Sequence, residues 1–200
     1  MSTPISNIRI AAIQGSVRPN NYTAKALNLA IDEFTNHPEV QVDLIDPTNL
    51  TLHLPGQGDD HTDAENIQEI VQNATGVILA TPEYHGSYSS TMKLIIDNLG
   101  FPSALSGKPI ALLGVAAGHI GAIKALEHLR SIASHVGGHP LPLPISIAGV
   151  QKVFDDDGNC TDPRSEKAIR SVATNLLDYI HNNICPRITL ESILREGTLV

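Results

Sequence analysis

Tryptophan is absent from this chain, phenylalanine occurs three times and cysteine twice. Cys160 and Cys185 form no CxxC pair, which leaves a redox dithiol and a zinc knuckle without support. Basic residues are scarce as well. Against 21 Asp and Glu stand 13 Lys and Arg, for a net charge of -8 and an isoelectric point near 5.5. The mean field of such a chain repels a phosphate backbone, so nucleic acid is not an expected partner. No stretch reaches the roughly 18 uninterrupted apolar residues of a membrane span. Met1 to Asn7 is polar and lacks the basic-then-apolar order of a secretory leader, so the expected location is the cytoplasm, away from membranes.

What remains is the composition of a globule, with 42% hydrophobic and 17% charged residues in 200 and a mean hydropathy of -0.01. At roughly 150 residues per domain the length predicts one domain, able to bury about 70% of its unfolded surface without metal or disulfide. Residues 1–184 are assigned to it, and 185–200 to a C-terminal extension that either packs on a partner subunit or frays.

Short β-rich runs alternate with longer helical segments. Ile8 to Ile13 reads as a strand and Thr23 to Phe34 as a helix; Val40 to Ile45 is a second strand and 62–73 a second helix. The run Val77 to Ala80 is apolar on both faces, as a strand covered by helices on each side must be. A helix over 89–99, a strand over 110–115 and a helix from Gly121 to Val136, closed by Gly137-Gly138, follow. Leu143 to Ile147 supplies a fifth strand. Asp162 and Pro163 then start a helix that runs to about Ile180. The pattern predicts a three-layer, doubly wound α/β domain, in which ligands bind beyond the carboxyl ends of the strands where the winding reverses.

Three loops at those ends carry the unusual residues. After the first strand, Gln14-Gly15-Ser16-Val17-Arg18-Pro19-Asn20-Asn21-Tyr22-Thr23 joins small residues, hydroxyls, amides and one cation to a helix N-terminus, a natural site for a phosphate monoester. Neither GxxxxGK[ST] nor GxGxxG occurs there. The alternative is that Ser16 and Asn21 only cap the turn and Arg18 is a solvated charge. After the third strand, Thr81-Pro82-Glu83-Tyr84-His85-Gly86-Ser87-Tyr88-Ser89-Ser90 holds two of the chain's four tyrosines. They either flank a flat ligand or sit in a core or subunit contact. After the fourth strand, Ala116-Ala117-Gly118-His119-Ile120-Gly121 lets a ligand lie close to backbone; His119 reads as an exposed polar residue or a cap rather than an acid or base.

These motifs, Gly15-Ser16-Val17-Arg18, then Pro82-Glu83-Tyr84-His85-Gly86-Ser87, then the helix bearing Lys93-Leu94-Ile95-Ile96-Asp97, resemble the NADPH-dependent FMN reductase family from about Ile8 to Ile180. The resemblance implies a flavodoxin-like fold, a five-stranded parallel sheet in the order 2-1-3-4-5, and FMN as cofactor with NADPH or NADH as hydride donor. Carried over by position, it puts the phosphate on Ser16, Arg18, Asn21, Tyr22 and Thr23. The flavin ring falls against Pro82, Glu83, Tyr84, His85, Gly86 and Ser87, and Ala117 and Gly118 close over it. It also implies a homodimer or homotetramer with flavin sites near subunit contacts. His85 stands where the family often has Asn, and Tyr88-Ser89-Ser90 replaces a frequent Ile-Pro-Gly. A Tyr-Ser pair there is similar to the flavin reductases that supply reduced FMN to alkanesulfonate monooxygenases, which implies a flavin-dependent monooxygenase as partner.

Hydride transfer between stacked rings roughly 3 to 3.5 Å apart asks the protein to position and tune, not to supply a nucleophile. No GxSxG elbow is present. The expected reaction is a ping-pong exchange in which NAD(P)H and a second acceptor use one slot in turn. The alternatives are a quinone, azo or chromate-type reductase with bound FMN, and a non-enzymatic flavodoxin-like electron carrier. No metal site is expected. Gly137-Gly138 separates His135 from His139, and the consecutive carboxylates of Asp155-Asp156-Asp157 lack the alternation of a calcium loop.

Overall fold

The computed structural model describes residues 7–197. Its centre is a parallel sheet built from β1 (Ile8–Gln14), β2 (Val40–Ile45), β3 (Gly76–Tyr84) and β5 (Pro109–Val115), with β4 (Ser87–Tyr88), β6 (His139–Pro140) and β7 (Ile145–Ile147) at its margins. The main path runs β2-β1-β3-β5-β6, and β7 also pairs with β5 in parallel. Counting β6 and β7 as two pieces of one fifth strand, this is the expected order. β5 is buried at every residue and β3 from Gly76 to Pro82, as strands roofed on both faces must be.

Alternation along the strands feeds two cores. Ile10 and Ala12 of β1 join Ile78, Leu113 and Leu176 under α1 (Tyr22–Glu33) and α5 (Pro163–Tyr179). Ala11 and Ile13 join Leu79, Leu112, Met92 and Leu129 on the opposite face, under α2 (Thr62–Asn73), α3 (Ser90–Asp97) and α4 (Ile123–His135). Local signals place the helix ends. Asp162 accepts from the backbone N–H groups of Arg164 and Ser165, and Gly138 and Gly137 donate to Ala133 and Ser134, closing α4 as a Schellman cap.

Two expectations need correction. The fifth strand does not run unbroken from Leu143: Pro142 and Pro144 have no N–H for the ladder and Leu143 has φ 60°, so pairing resumes only at Ile145. The loop after the third strand contains a two-residue hairpin. His85 (φ 51°) and Gly86 (φ 73°) turn β3 back into antiparallel β4, the positive-φ pair of a type I′ turn. Asn suits that first position best, and histidine tolerates it. Beyond α5 the chain passes through a π turn at Ile180–Ile184 into α6 (Cys185–Gly197). The remainder of 185–200 lies outside the described residues.

Winding reverses between β1 and β3, and Ser89 ties their loops together. It caps α3 by accepting from Met92 N at 3.0 Å, donates to Gly15 O at 2.5 Å, and its own N–H meets Thr81 Oγ1 at 3.1 Å. Ser89→Ala removes a cap worth about 0.5–2 kcal/mol. Denaturant unfolding should show a lower midpoint, and an unchanged midpoint would remove Ser89 from the loop junction.

Candidate functional site

The first loop leaves β1 at a point of close backbone approach. Gly15 N donates to Ala80 O at 2.7 Å, and a Cβ on Gly15 would itself stand 2.7 Å from that oxygen. Gln14 pins the loop from below by donating to Ser16 O at 2.8 Å and Asp46 Oδ1 at 3.2 Å. Asn20, with φ 57°, then turns the chain into α1. Asn21 is the N-cap: its Oδ1 accepts from Ala24 N at 2.7 Å and its amide donates to Arg18 O at 2.8 Å. The capping role weighed for Asn21 is therefore the one its side chain performs.

What the loop leaves unused faces one cleft. The backbone N–H groups of Ser16, Tyr22 and Thr23 have no acceptor among the described residues, and all three residues line it. The exposed Arg18 guanidinium meets no carboxylate among the described residues either. A helix start with free N–H groups and an unpaired guanidinium is the equipment of an anion site. Tyr22 directs its ring at Phe154, 6.3 Å between centroids, with Lys25 Nζ 5.3 Å from the Tyr22 centroid.

The cleft measures about 320 Å³ and is lined by Ser16, Arg18 and the α1 start on one side, by Pro82, Glu83 and Tyr84 on another, and by Val115, Ala116 and Ala117 at its base. That size lies in the small-molecule range of about 300–1,000 Å³. Of the residues named from sequence, Ser16, Arg18, Asn21, Tyr22, Thr23, Pro82, Glu83, Tyr84 and Ala117 line it; His85, Gly86, Ser87 and Gly118 do not. The hairpin geometry explains three of these absences, because His85 and Gly86 form its tip and Ser87 Oγ lies 3.0 Å from His128 Nδ1 on α4. Tyr88 packs against Ala116, Ala122 and Ala125, and burial pushes its phenol above the ordinary range. Of the two aromatics of this loop, Tyr84 flanks the cleft and Tyr88 is a core contact. A larger groove of about 730 Å³ shares the Arg18–Asn21 wall but is lined by Asp32, Asp46, Asp157 and Glu166 as well; its carboxylates make it the poorer place for an anion.

Sequence reasoning did not name Val150 and Gln151, which reach the cleft from beyond β7. Gly149 N and Val150 N donate to Gly118 O and Ala116 O at 3.1 and 3.0 Å, and Gln151 Nε2 reaches Ala117 O at 3.2 Å. Their signal was weak, since these contacts join segments more than thirty residues apart.

A model of the family described as NADPH-dependent FMN reductase matches residues 8–151. The chain belongs to that family. A protein of Pseudomonas aeruginosa described as an NAD(P)H-dependent FMN reductase is 31% identical over 170 residues, covering 82% of this chain and 90% of the relative. An FMN-dependent NADPH-azoreductase of Staphylococcus aureus is 26% identical, covering 86% and 94%. Among solved structures, a flavoenzyme NAD(P)H:(acceptor) oxidoreductase from Paracoccus denitrificans superposes with a TM-score of 0.71 at 22% identity, over 86% of this chain and 97% of its own. That likeness shows the flavodoxin-like fold. This FMN reductase family member is thus an oxidoreductase with FMN as cofactor and NAD(P)H as electron donor. The donor set of its cleft fits that group: free N–H groups and a cation at one end suit a phosphate, and the small apolar residues at the other suit a ring. Among the described residues there is no cluster of three or more His, Cys, Asp or Glu that could hold a metal, and no helix long and apolar enough to cross a membrane.

Proposed function

We propose that this chain is an NAD(P)H-dependent FMN reductase whose donor and acceptor occupy one slot in turn. The observation that carries this reading is the convergence of the unpartnered N–H groups of Ser16, Tyr22 and Thr23 and of Arg18 on a single cleft whose other walls are Pro82–Tyr84 and Ala116–Ala117. In this reading Ser16, Arg18, Tyr22 and Thr23 hold the phosphate, with Asn21 fixing the N–H groups of α1 by its cap. The ring lies against Pro82 to Tyr84, through backbone and the Tyr84 side chain, with Ala116 and Ala117 beside it.

FMN, when bound, supplies the two-electron chemistry, accepting a hydride from the nicotinamide and passing two electrons on. The residues do the rest. Pro82, buried, and Tyr84, 40% exposed, form the wall that would hold the flavin ring, and the small side chains of Ala116 and Ala117 leave room beside it. In this reading the slot over the flavin takes one ring at a time, so oxidised nicotinamide leaves before the acceptor enters. Steady-state turnover at several fixed NADPH concentrations should give parallel double-reciprocal lines against acceptor; intersecting lines would replace ping-pong with a ternary complex.

Free FMN, released reduced to a flavin-dependent monooxygenase, is the proposed acceptor. The Staphylococcus relatives, described as azoreductases, favour an azo compound as second reading. A homodimer or homotetramer with subunit contacts beside the flavin is supported by the exposed apolar side chains of Val17, Ile120 and Ile123.

A further inference from the structure

Helix α4 starts without a cap of its own. Its N-cap position is Ala122, whose side chain accepts nothing, and the first N–H groups of a helix have no partner inside it. Two donors at this start are satisfied from elsewhere in the chain. Ser146 Oγ accepts from Ala122 N at 2.8 Å, and Glu83 Oε2 accepts from Ala125 N at 3.0 Å, across 42 residues of sequence. A carboxylate is favoured there twice over, by a charge-assisted hydrogen bond and by the positive end of the helix dipole.

The Glu83 contact is the centre of a larger junction. Tyr88, opposite Glu83 in the hairpin register, packs against Ala116, Ala122 and Ala125. Ser87 Oγ and His128 Nδ1 meet at 3.0 Å one turn further along α4. On either side of Glu83 in the chain, Pro82 and Tyr84 line the cleft, and the segment that leads into α4 carries Ala116 and Ala117, which form its base. One carboxylate therefore joins two walls of the cleft that belong to different strands.

We infer that Glu83 is a positioning residue: anchored on the Ala125 N–H, its side chain clamps the Pro82–Tyr84 wall to the Ala116–Ala117 wall and sets the width of the ring slot. The inference rests on the proposed reading of the cleft as the flavin site. It changes the role of the Glu83 side chain from touching the flavin to holding what touches it. Loss of the clamp should loosen the ring end of the cleft and leave the phosphate end, which is built from Ser16–Thr23, as it was.

Binding of FMN and of riboflavin, which lacks the phosphate, to the apoprotein separates the two ends. Glu83→Ala should weaken both flavins by the same factor, roughly 10-fold or more, so that the ratio of their affinities keeps its wild-type value. Glu83→Gln retains an acceptor for the Ala125 N–H and should recover most of both affinities. Glu83→Asp keeps the charge but is one methylene shorter; if the alanine variant fails to fold, it should show the same loss at constant ratio. Wild-type affinities in Glu83→Ala and Glu83→Asp would overturn the clamp. So would a changed ratio, which would put Glu83 on the phosphate, or a glutamine variant as weak as alanine. If the unaltered protein binds neither flavin, the flavin reading fails first and the clamp with it.

Discussion

Arg18→Ala should lower the affinity for FMN by roughly 10- to 150-fold, the loss of one charge-assisted contact of about 1.5–3 kcal/mol. Arg18 lines the cleft together with Tyr22 and Thr23 at the start of α1, and its guanidinium meets no carboxylate among the described residues. An arginine with no internal partner is available to a phosphate without breaking an existing pair. Its removal costs the fold little, because an exposed, unpaired cation contributes little to stability. Riboflavin, with no phosphate, should bind the variant as it binds the wild type. Flavin fluorescence titration gives both constants; an FMN affinity unchanged by the substitution would take Arg18 out of the site.

Gly15→Ala should cost about 1–3 kcal/mol of folding stability, the usual range for forcing a methyl into a packed place. Gly15 does not occupy a left-handed conformation, so the cost is one of space alone. The new Cβ would lie 2.7 Å from Ala80 O and 3.0 to 3.2 Å from the Met92 side chain. Met92 can move; the carbonyl belongs to the central strand and also accepts the Gly15 N–H. The loop must therefore lift from β3, taking Ser16 and the start of α1 with it. At about 2–4 °C per kcal/mol for a chain of this size, thermal unfolding should fall by several degrees, with a loss of FMN affinity beside it. A variant as stable as the wild type would mean that the first loop is not seated on β3 as described.

Most of the scaffold was legible because its signals are local. A short, β-branched apolar run fits a strand roofed on both sides, and Asp162-Pro163 and Gly137-Gly138 mark helix ends by their own backbone preferences. The first loop was legible for the same reason, since Gly15, Ser16, Arg18 and Thr23 are adjacent in sequence. The hairpin at His85-Gly86 was hidden because histidine is not the usual residue at its first left-handed position. The broken fifth strand could have been read from Pro142 and Pro144, but the apolar character of Leu141, Leu143 and Ile145 masked their missing N–H groups. The Glu83–Ala125 and Gln151–Ala117 contacts had no local signal, because each joins segments that only the completed sheet brings together.

Turnover should depend on FMN bound in the cleft between Ser16–Thr23, Pro82–Tyr84 and Ala116–Ala117. The most direct test is NADPH and NADH oxidation, followed at the nicotinamide absorbance, by purified apoprotein with and without added FMN, and with a quinone as alternative acceptor. Oxidation that requires FMN and saturates in it, and that shifts to higher FMN concentration in Arg18→Ala, is the predicted result. Absence of oxidation under every condition, with FMN demonstrably bound, would contradict it and leave an electron carrier in place of a reductase.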